Sequence, residues 1–566
     1  MITTVSANGS LCNGTLDNNQ IFWLLEATEG KEIEENTDDI GLALETIIKH
    51  VGEIGLYQRL LFVVMMPFGI VWSFVYFGQM FITATPQEHW CRVPELEELS
   101  LDIRRSLSIP KISDTEFDQC LMFDRNWTQV LETLSSPDPA TPRIPCSNGW
   151  EFLFEDIPYS TIVNEREWVC ENSDLVTWSQ SINFVGSIFG GILCGNLADK
   201  YGRLPVIMLS NLLGCIGGVA TIFTTDFWDF AICRFIVGMA CDSCFLMIYI
   251  LVLEYVGTKY RSLVANMSIA MYFGGGCLLL PWLALGISDW KNLSLAMALP
   301  MLLALATPFV VPESARWLVS KGKIDKAVNI LKKFERINKS KIPENVLGNF
   351  ISIANKAKEK NEGVLMIIKI PSLRVMVTFL IFAFVSAALM FDGIIRLSEN
   401  LGLDFFLTFT VTSATEIPSV IILVLLLDRL GRRWFVTGPM LLAGVLCLIT
   451  AFIPRGVASV ALAVAARFLT NMSFSTVNQW TTELLPTAAR ASGSSAVHIT
   501  SFAALVLSPF IVYSDRVWEG LSLIIVGVLG IAGGCAALVL PETKGRRMPQ
   551  TADDWADLAA TACFAK

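Results

Sequence analysis

A small set of ionisable residues interrupts the apolar stretches of this 566-residue chain, and these residues carry chemistry that could bind a solute. A charge at the centre of a bilayer costs about 3 kcal/mol on insertion scales, so each such residue is a functional candidate. The set comprises three carboxylates, one arginine and one histidine: Asp242, Asp392, Glu416, Arg396 and His498. Three carboxylates against one arginine favour a cationic ligand, or a zwitterion whose carboxylate meets Arg396.

Asp392 and Arg396 are four residues apart, so a helix would place them on one face, where they can neutralise each other. The pair therefore fits a structural role as well as a ligand-binding role. Glu416 lies two residues before Pro418, which removes a backbone donor, and we expect this carboxylate to face a cation. His498 is more typical of a hydrogen-bonded interior residue than of a proton relay.

The whole chain is 53% hydrophobic and only 17% charged, with a mean hydropathy of +0.54. Soluble domains carry about 25% charged residues, so this composition excludes a soluble protein. The net charge of −10 argues against a nucleic-acid partner. Three histidines in all, with no metal-ligand cluster and no nucleophile motif, argue against an enzyme, a metal site or a cofactor.

About twelve apolar stretches approach the roughly 20 residues that a helix needs to cross a bilayer, which predicts an all-α polytopic membrane protein. Lysine and arginine cluster in loops of one parity, and this places those loops and both tails in the cytoplasm. The predicted order is an N-terminal tail (1–58), a first helix (59–83), a long loop (84–175), helices 2–6 (176–311), a charged cytoplasmic loop (312–373), helices 7–12 (374–541) and a C-terminal tail (542–566).

The long loop at 84–175 is therefore predicted to be extracellular, and its contents agree with that side. It contains four cysteines, an even number in an oxidising compartment, which implies two disulfides in one of three pairings. These cysteines are Cys91, Cys120, Cys146 and Cys170. The loop also contains the sequon Asn126-Trp127-Thr128, so we expect a glycan on Asn126.

Three motifs recur at a constant separation of 229 residues. They are D-x-x-G-R, from Asp199 and Asp428; a glutamate seven residues before an arginine, from Glu254 and Glu483; and Pro-Glu-[Ser/Thr], from Pro312 and Pro541. Such regularity predicts two parallel six-helix halves, a type of fold that rocks about a central site.

These motifs resemble those of the major facilitator superfamily, and the long loop narrows the resemblance. The loop begins Pro86-Gln-Glu-His-Trp-Cys91 and ends with Pro145-Cys-Ser-Asn-Gly-Trp-Glu-Phe152 and Trp168-Val-Cys170. With the Pro-Glu-Ser and Pro-Glu-Thr motifs, these segments are similar to the organic cation, anion and zwitterion transporters, solute carrier family 22. The resemblance covers nearly everything from Val51 to Leu558 and implies the major facilitator fold, with twelve transmembrane helices in two six-helix halves and transport by alternating access.

The resemblance also implies a cytoplasmic gate, because the D-x-x-G-R loops act as latches in the superfamily. Their glycine permits a tight turn, and their charged residues can pair with each other or with helix ends. Simple enrichment of basic residues on the cytoplasmic side is the alternative explanation. The predicted gating residues are Asp199, Gly202, Arg203, Glu254, Arg261, Glu313, Arg316, Asp428, Gly431, Arg432, Glu483 and Arg490.

Aromatic residues at the cavity positions of the family can attract a cation, each by about 0.5–2 kcal/mol. Helix packing is the alternative explanation for every one of them. By alignment of the motifs they are Tyr76, Tyr249, Phe391, Phe245, Phe384 and Phe502. Glu416 matches a glutamate that is common in the family, whereas Asp242 stands where several cation transporters carry lysine. Phe502 stands where cation transporters tend to carry aspartate and anion transporters arginine, so charge selectivity here must rest on other residues.

The resemblance implies a multi-pass plasma-membrane transporter for small organic cations or zwitterions, such as carnitine, β-alanine or carcinine. The expected partners are this solute, the lipid bilayer and, where transport is coupled, Na⁺ or H⁺. An organic anion transporter of the same fold is one alternative. A non-transporting receptor that binds through its disulfide-bonded loop is another, but D-x-x-G-R loops in both halves argue against it, since a receptor needs no moving gate.

Overall fold

Twelve helices of the computed structural model are long and apolar enough to cross a membrane, which confirms the predicted number. The structure describes residues 40–112, 117–138, 141–356, 371–399, 401–485 and 487–544, so most of each predicted tail lies outside the described residues. The spans are 1 (Leu56–Ile82), 2 (Cys170–Tyr201), 3 (Arg203–Phe223), 4 (Phe227–Glu254), 5 (Lys259–Ile287), 6 (Trp290–Val310), 7 (Arg374–Arg396), 8 (Phe405–Leu430), 9 (Arg432–Thr450), 10 (Val457–Leu484), 11 (Gly493–Arg516) and 12 (Leu521–Val539).

Three of these spans are irregular near their middle. Span 4 is interrupted at Asp242 and span 8 at Thr415, where one helix ends and another begins. Span 5 contains a π-helical turn at Ile269–Phe273. Irregular turns inside membrane helices release backbone groups from the regular hydrogen-bond ladder and are frequent at functional sites. These interruptions therefore mark the part of the bundle in which to look for a binding site.

Spans 2 and 4 pack closely because glycines remove the side chains between them. A Cβ atom added at Gly190 would overlap the backbone carbonyl of Met239, and one added at Gly238 would overlap the carbonyl of Asn183. Small residues allow membrane helices to approach until their backbones touch, and van der Waals contact then holds the helices together. In the second half, larger buried side chains from spans 7, 9, 10 and 12, such as Leu380, Met440 and Val526, form one apolar core.

The loop between spans 1 and 2 contains two short antiparallel β-ladders. Strand β1 (His89–Cys91) pairs with β4 (Trp150–Phe152), and β2 (Leu121–Phe123) pairs with β3 (Arg143–Pro145). Three helices lie between or after the strands: Leu101–Ser108, Trp127–Thr133 and Ile162–Arg166. Trp90, Leu96 and Met122 are buried in a small separate core. The loop is therefore a folded element rather than a flexible linker.

Two disulfides close this loop, and the structure supplies the pairing that the sequence left open. Cys91 bonds to Cys146, and Cys120 bonds to Cys170. Asn126 is exposed and immediately precedes the helix Trp127–Thr133. A glycan on this side chain therefore meets no steric obstacle from the described part of the loop, and glycosylation stays a prediction.

Glu165 fastens the loop to the start of span 6. Its carboxylate accepts hydrogen bonds from Lys291 Nζ at 2.9 Å and from the Trp290 indole nitrogen at 2.8 Å. Burial alone would raise the pKa of Glu165, but these donors outweigh it and hold the pKa below its usual value. A second hydrogen bond attaches the loop to span 1, because the Tyr159 hydroxyl donates to the Phe81 carbonyl at the end of that span.

A second compact unit comprises the described residues 40–59, 254–261 and 313–356. Its principal helices are Ile40–Val51, Ala315–Ser320, Ile324–Asn338 and Glu344–Lys356. Asn338 joins its parts, because its side-chain oxygen accepts from the Tyr57 backbone and its amide donates to Gln58 and to the Val51 carbonyl. The Tyr57 ring packs edge-on against Phe334 at 4.4 Å.

Two adjacent glycines test the packing of spans 2 and 4. Gly190→Ala places a methyl group against the Met239 carbonyl, whereas nothing lies within 4 Å of a Cβ atom added at Gly191. We expect Gly190→Ala to cost about 1–3 kcal/mol, the usual range for overpacking. It should lower the melting temperature of the detergent-solubilised protein, measured by fluorescence-detected size exclusion after heating. Gly191→Ala is the matched control and should leave the melting temperature unchanged; an equal loss in both variants would contradict the packing argument.

Candidate functional site

Two arginine–carboxylate pairs are buried within the spans of the second half. Arg467 of span 10 lies 2.9 Å from the Glu416 carboxylate of span 8, and their side chains are 1% and 4% exposed. Arg396 Nε lies 2.6 Å from Asp392 Oδ2, one turn earlier in span 7. A buried pair adds little stability by itself, but each charge needs the other, because an uncompensated charge in this environment is very costly. The two pairs are therefore fixed features of the bundle.

Arg467 is held by three groups at once. Besides Glu416, it donates to the backbone carbonyl of Phe391, and its guanidinium carbon lies 3.6 Å from the centre of the Phe391 ring. One face of Phe391 is therefore occupied by a protein cation in this structure. The other ring neighbour is Phe474, stacked at 4.7 Å. Phe391 therefore interacts with a cation of the protein itself, and a contact between this ring and a substrate stays a prediction.

Glu416 lies where span 8 is interrupted, and the local sequence explains this geometry. It begins the second helix of the span, with Pro418 in the first turn, where a missing N–H group costs no helical hydrogen bond. The preceding Thr415 accepts a hydrogen bond from Asn471 of span 10 at 3.0 Å. Gly274 of span 5 lies directly beside Glu416, since a Cβ atom there would be 3.1 Å from the glutamate side chain.

Arg396 is held at three positions of its side chain. Asp392 accepts from Nε, the Gln180 side chain of span 2 accepts from Nη1 at 2.9 Å, and the guanidinium lies 5.3 Å from the Phe184 ring. Gln180 in turn donates to the Thr83 hydroxyl. The other Asp392 oxygen, Oδ1, has no hydrogen-bond partner in the described part of the chain. This network joins a span of the first half to a span of the second.

Aromatic rings form a connected cluster next to the charged pairs. Tyr76 of span 1 contacts Phe184 and Phe273 at centroid distances of 5.7 and 6.2 Å. It also lies close enough to Asp392, Arg396 and Arg467 to interact with their charges. The cluster continues through Trp72, which is 4.5 Å from Phe273 and stacks on Phe245 at 5.0 Å, and Phe245 contacts Tyr249. The structure thus brings together three of the six predicted aromatic residues, Tyr76, Phe245 and Tyr249.

Three predicted residues lie differently. Phe384 packs against Phe474 and against His498, at 5.7 and 5.1 Å, on the side of the cluster formed by spans 7, 10 and 11. Phe502 is only partly buried and has no ring contact among the described residues. Asp242 is also partly buried, at the interruption of span 4, and its carboxylate has no hydrogen bond or ion pair within the described chain.

The prediction of one arginine against three carboxylates in the spans is wrong. Arg234 of span 4 and Arg467 of span 10 are also buried, at 4% and 0% exposure. Arg234 donates to the Thr221 hydroxyl and lies over the Phe230 ring, which suits a structural role. A signal was available in the sequence, since both arginines precede a phenylalanine in equivalent spans of the two halves. Gln180 was not predicted either, because an uncharged amide in a membrane helix does not indicate in the sequence that it binds a buried charge.

A described cavity of about 280 Å³ ends on Arg396. Spans 1, 2, 7 and 11 contribute its walls, together with residues just beyond the ends of spans 1 and 9. Its charged lining residues are Arg396, Arg455, Asp515 and Arg516. Arginine therefore outnumbers carboxylate on the walls of this cavity, and its lining includes none of the three predicted carboxylates, Asp242, Asp392 and Glu416.

The predicted gating residues of the second half form an ion-pair network. Arg432 pairs with Asp428 and with Glu483, both at 3.0 Å. Glu483 also accepts from the Thr543 hydroxyl at 2.7 Å. Gly431 has a φ of 89°, a backbone conformation that only glycine adopts without strain. In the first half, Arg203 and Asp199 are 3.5 Å apart, and Gly202 has a φ of 106°.

The remaining gating candidates other than Arg490 belong to the second compact unit. Glu45 lies 3.4 Å from Arg261 and 3.7 Å from Arg316, so this residue, which the sequence analysis missed, links two predicted gate arginines. Glu254 accepts from the Ser314 hydroxyl. The Glu313 backbone carbonyl accepts from Tyr255. The side chain of Arg490 lies outside the described residues, and a gating role for the whole set stays a prediction.

The Glu416–Arg467 pair makes a direct prediction about stability. Glu416→Gln leaves the Arg467 charge uncompensated and should destabilise the protein by about 3–5 kcal/mol. Arg467→Gln leaves an unpaired carboxylate and should act similarly. The double variant removes both charges and should regain most of the lost melting temperature, measured on purified protein in detergent. Additive losses in the double variant would show that the two residues are not coupled.

Comparisons with known proteins agree with this architecture. Residues 152–555 match the family described as sugar (and other) transporter. A carcinine transporter of Drosophila melanogaster is 32% identical, over 91% of this chain and 79% of the relative. A β-alanine transporter of the same fly is 31% identical, over 90% and 88%. Solute carrier family 22 member 3 of Rattus norvegicus is 30% identical, over 90% and 94%.

Solved structures support the fold alone. The xylose transporter XylE from E. coli, in a partially occluded inward-open conformation, matches with a TM-score of 0.56 at 18% identity, over 87% of this chain and 99% of that one. The twelve spans and the relatives at 30–32% identity across nine-tenths of the sequence lead to one conclusion. The chain belongs to the sugar (and other) transporter family and, within the major facilitator superfamily, to solute carrier family 22.

Proposed function

We propose that this protein transports small organic cations or zwitterions across the plasma membrane by alternating access. One observation carries the proposal: buried charged pairs and a connected cluster of aromatic rings lie inside the membrane spans, next to the interruptions of spans 4, 5 and 8. Ionisable groups at this depth mark solute pathways. Relatives named as carcinine, β-alanine and organic cation transporters support an amine-bearing substrate.

In this proposal the cationic group of the substrate contacts Asp242, in addition to any contact with Glu416. Glu416 and Asp392 are each neutralised by an arginine, whereas Asp242 is a carboxylate with no ion pair among the described residues. A cationic amine would supply the missing charge. Phe245 and Tyr249 follow Asp242 by three and seven residues, so all three lie on one helix face and can offer ring surfaces to the same amine.

Alternating access requires a gate that opens, and the proposed gate is the paired charge at the D-x-x-G-R loops. Arg432 and Glu483 come from different spans, so their bond must break if those spans separate. The proposed orientation puts these loops in the cytoplasm and the disulfide-bonded loop outside, with a glycan on exposed Asn126. A Na⁺ or H⁺ gradient is the proposed driving force where transport is coupled.

Transport of organic anions is the second candidate, because one observation favours it. The walls of the cavity at Arg396 carry three arginines and one aspartate. Uptake of a quaternary amine, β-alanine and an aminohippurate-type anion by expressing cells separates the two candidates. The proposal expects the amines to be taken up and the anion to be excluded.

Asp242→Asn tests the proposed cation contact. The substitution keeps the shape of the side chain and removes its charge, so we expect amine uptake to fall at least tenfold, with unchanged surface expression. Asp229→Asn is the matched control, because Asp229 is an exposed carboxylate at the start of the same span. Uptake is measured with a radiolabelled quaternary amine. Equal uptake by the wild type and Asp242→Asn would remove Asp242 from the site.

Variants of the Glu416–Arg467 pair test whether Glu416 binds the substrate or only neutralises Arg467. Glu416→Gln should abolish amine uptake, since the uncompensated Arg467 repels a cation. If Glu416 also contributes its charge to the substrate, the double variant Glu416→Gln, Arg467→Gln regains thermal stability but not uptake, and this is the expected result. Recovery of uptake in the double variant, measured per transporter at the cell surface, would show that Glu416 only neutralises Arg467.

A further inference from the structure

The cavity that ends on Arg396 has the size and lining of a small-metabolite subsite. Its volume of about 280 Å³ lies just below the range of about 300–1,000 Å³ that is typical for drug-sized ligands. Its polar walls include the hydroxyls of Thr83 and Thr177, the amide of Gln180 and the guanidinium of Arg396. The Thr83 hydroxyl already donates to the Gln79 carbonyl, and the Gln180 amide donates to Thr83. The donors left for a ligand group that accepts hydrogen bonds are the Arg396 guanidinium, the Thr177 hydroxyl and the second amide hydrogen of Gln180.

The Arg396 guanidinium is held in place by two of its nitrogens, and its third nitrogen is left without a described hydrogen-bond partner. Its Nε donates to Asp392 and its Nη1 to Gln180, whereas Nη2 has no hydrogen bond to any residue that the structure describes. The side chain is only 5% exposed, and that residual exposure faces the cavity, since Arg396 is one of its lining residues. A guanidinium fixed at two nitrogens loses little entropy when a ligand binds the third, and its planar donors match a carboxylate.

A second guanidinium lies on the same walls. Arg516 is exposed, lies 5.1 Å from the Tyr513 ring and has no ion pair with a described residue. The third arginine of the lining differs, because Arg455 pairs with Glu519 at 2.8 Å. The one carboxylate, Asp515, is engaged by the backbone and hydroxyl of Ser522. Arg396 and Arg516 are therefore the two cavity arginines with donors to offer.

We propose that this cavity binds the carboxylate of a zwitterionic substrate, through Arg396 and Arg516. The inference rests on the proposed transport function and narrows its substrate class to amines that also carry a carboxylate. The ring of Phe184 lies between Arg396 and Tyr76, so the aromatic cluster that suits an ammonium group begins one ring away. The two ends of a short zwitterion can then be bound side by side.

The charge balance favours a zwitterion over a free anion. Asp392 already neutralises Arg396 and Glu519 pairs with Arg455, so among the described cavity arginines Arg516 alone is left to balance a bare anion, and Arg516 is exposed to solvent. A zwitterion brings its own ammonium group and leaves the net charge unchanged. A small inorganic anion such as chloride accepts hydrogen bonds as a carboxylate does. The experiment must therefore distinguish binding of chloride in this cavity from binding of a substrate carboxylate.

The test uses two pairs of solutes that differ only in the carboxylate. Carnitine is compared with β-methylcholine, and β-alanine with ethylamine, in uptake by expressing cells. Arg516→Gln should lower the ratio of carnitine to β-methylcholine uptake at least tenfold, through a higher KM for carnitine. Arg396→Gln should lower the same ratio, with surface expression measured in parallel. Arg455→Gln is the control, since it removes a charge from the same walls but from an arginine that Glu519 already holds.

Each outcome decides a different question. An unchanged ratio in Arg516→Gln, or an equal fall in Arg455→Gln, would overturn the carboxylate subsite while leaving amine transport intact. If replacing chloride with gluconate lowers uptake of both members of a pair equally, the site binds a free anion. Absence of uptake for all four solutes would count against the transport function. In that case carnitine should still raise the melting temperature of the purified wild type but not that of Arg516→Gln. If carnitine does not raise the melting temperature of the wild type, the proposed carboxylate subsite is wrong.

Discussion

The mutual dependence of buried arginines and carboxylates is the constraint on which the rest of this structure depends. Arg467 and Arg396 cannot be accommodated among apolar helices without Glu416 and Asp392. The Glu416–Arg467 pair joins spans 8 and 10, whereas Asp392 and Arg396 lie one turn apart in span 7. Arg396 extends this constraint to span 2 through Gln180, so the two halves are joined by a charged network and not only by apolar packing. Any solute that binds here must bind beside these pairs or compete with them.

This constraint changes how the candidate carboxylates are weighed. From sequence, Glu416 is the natural cation contact because it lies beside Pro418 inside a membrane span. In the structure its charge is balanced by Arg467, whose guanidinium also covers the face of Phe391. Asp242 has no such partner in the described chain, and it lies on the helix face of Phe245 and Tyr249. The three carboxylates that look alike in the sequence therefore fall into two electrostatic situations, because Glu416 and Asp392 are each paired with an arginine, whereas Asp242 has no ion pair with a described residue.

The twelve spans could be predicted from the sequence because the length and the apolar composition of a membrane helix are properties of consecutive residues and do not depend on tertiary contacts. The helix ends differ from those predicted by a few residues only, as at span 1, which runs over Leu56–Ile82. Disulfide pairing was not predictable, because four cysteines allow three pairings and the loop fold selects Cys91 with Cys146. Arg467 is a lone charge in an apolar segment, as Glu416 is, and the sequence does not show that these two charges pair between spans 10 and 8. Partners such as Gln180 depend on tertiary contacts, which no spacing in the chain reveals.

The 229-residue repeat also has a chemical counterpart in the structure. Glu254 accepts from the Ser314 hydroxyl in one half, and Glu483 accepts from the Thr543 hydroxyl in the other. Both members of each bond are displaced by 229 residues, so the same hydrogen bond is built twice. The constant separation of 229 residues in the sequence therefore corresponds to a contact that recurs in the structure, between the end of span 4 or 10 and the Pro-Glu-[Ser/Thr] motif that follows span 6 or 12.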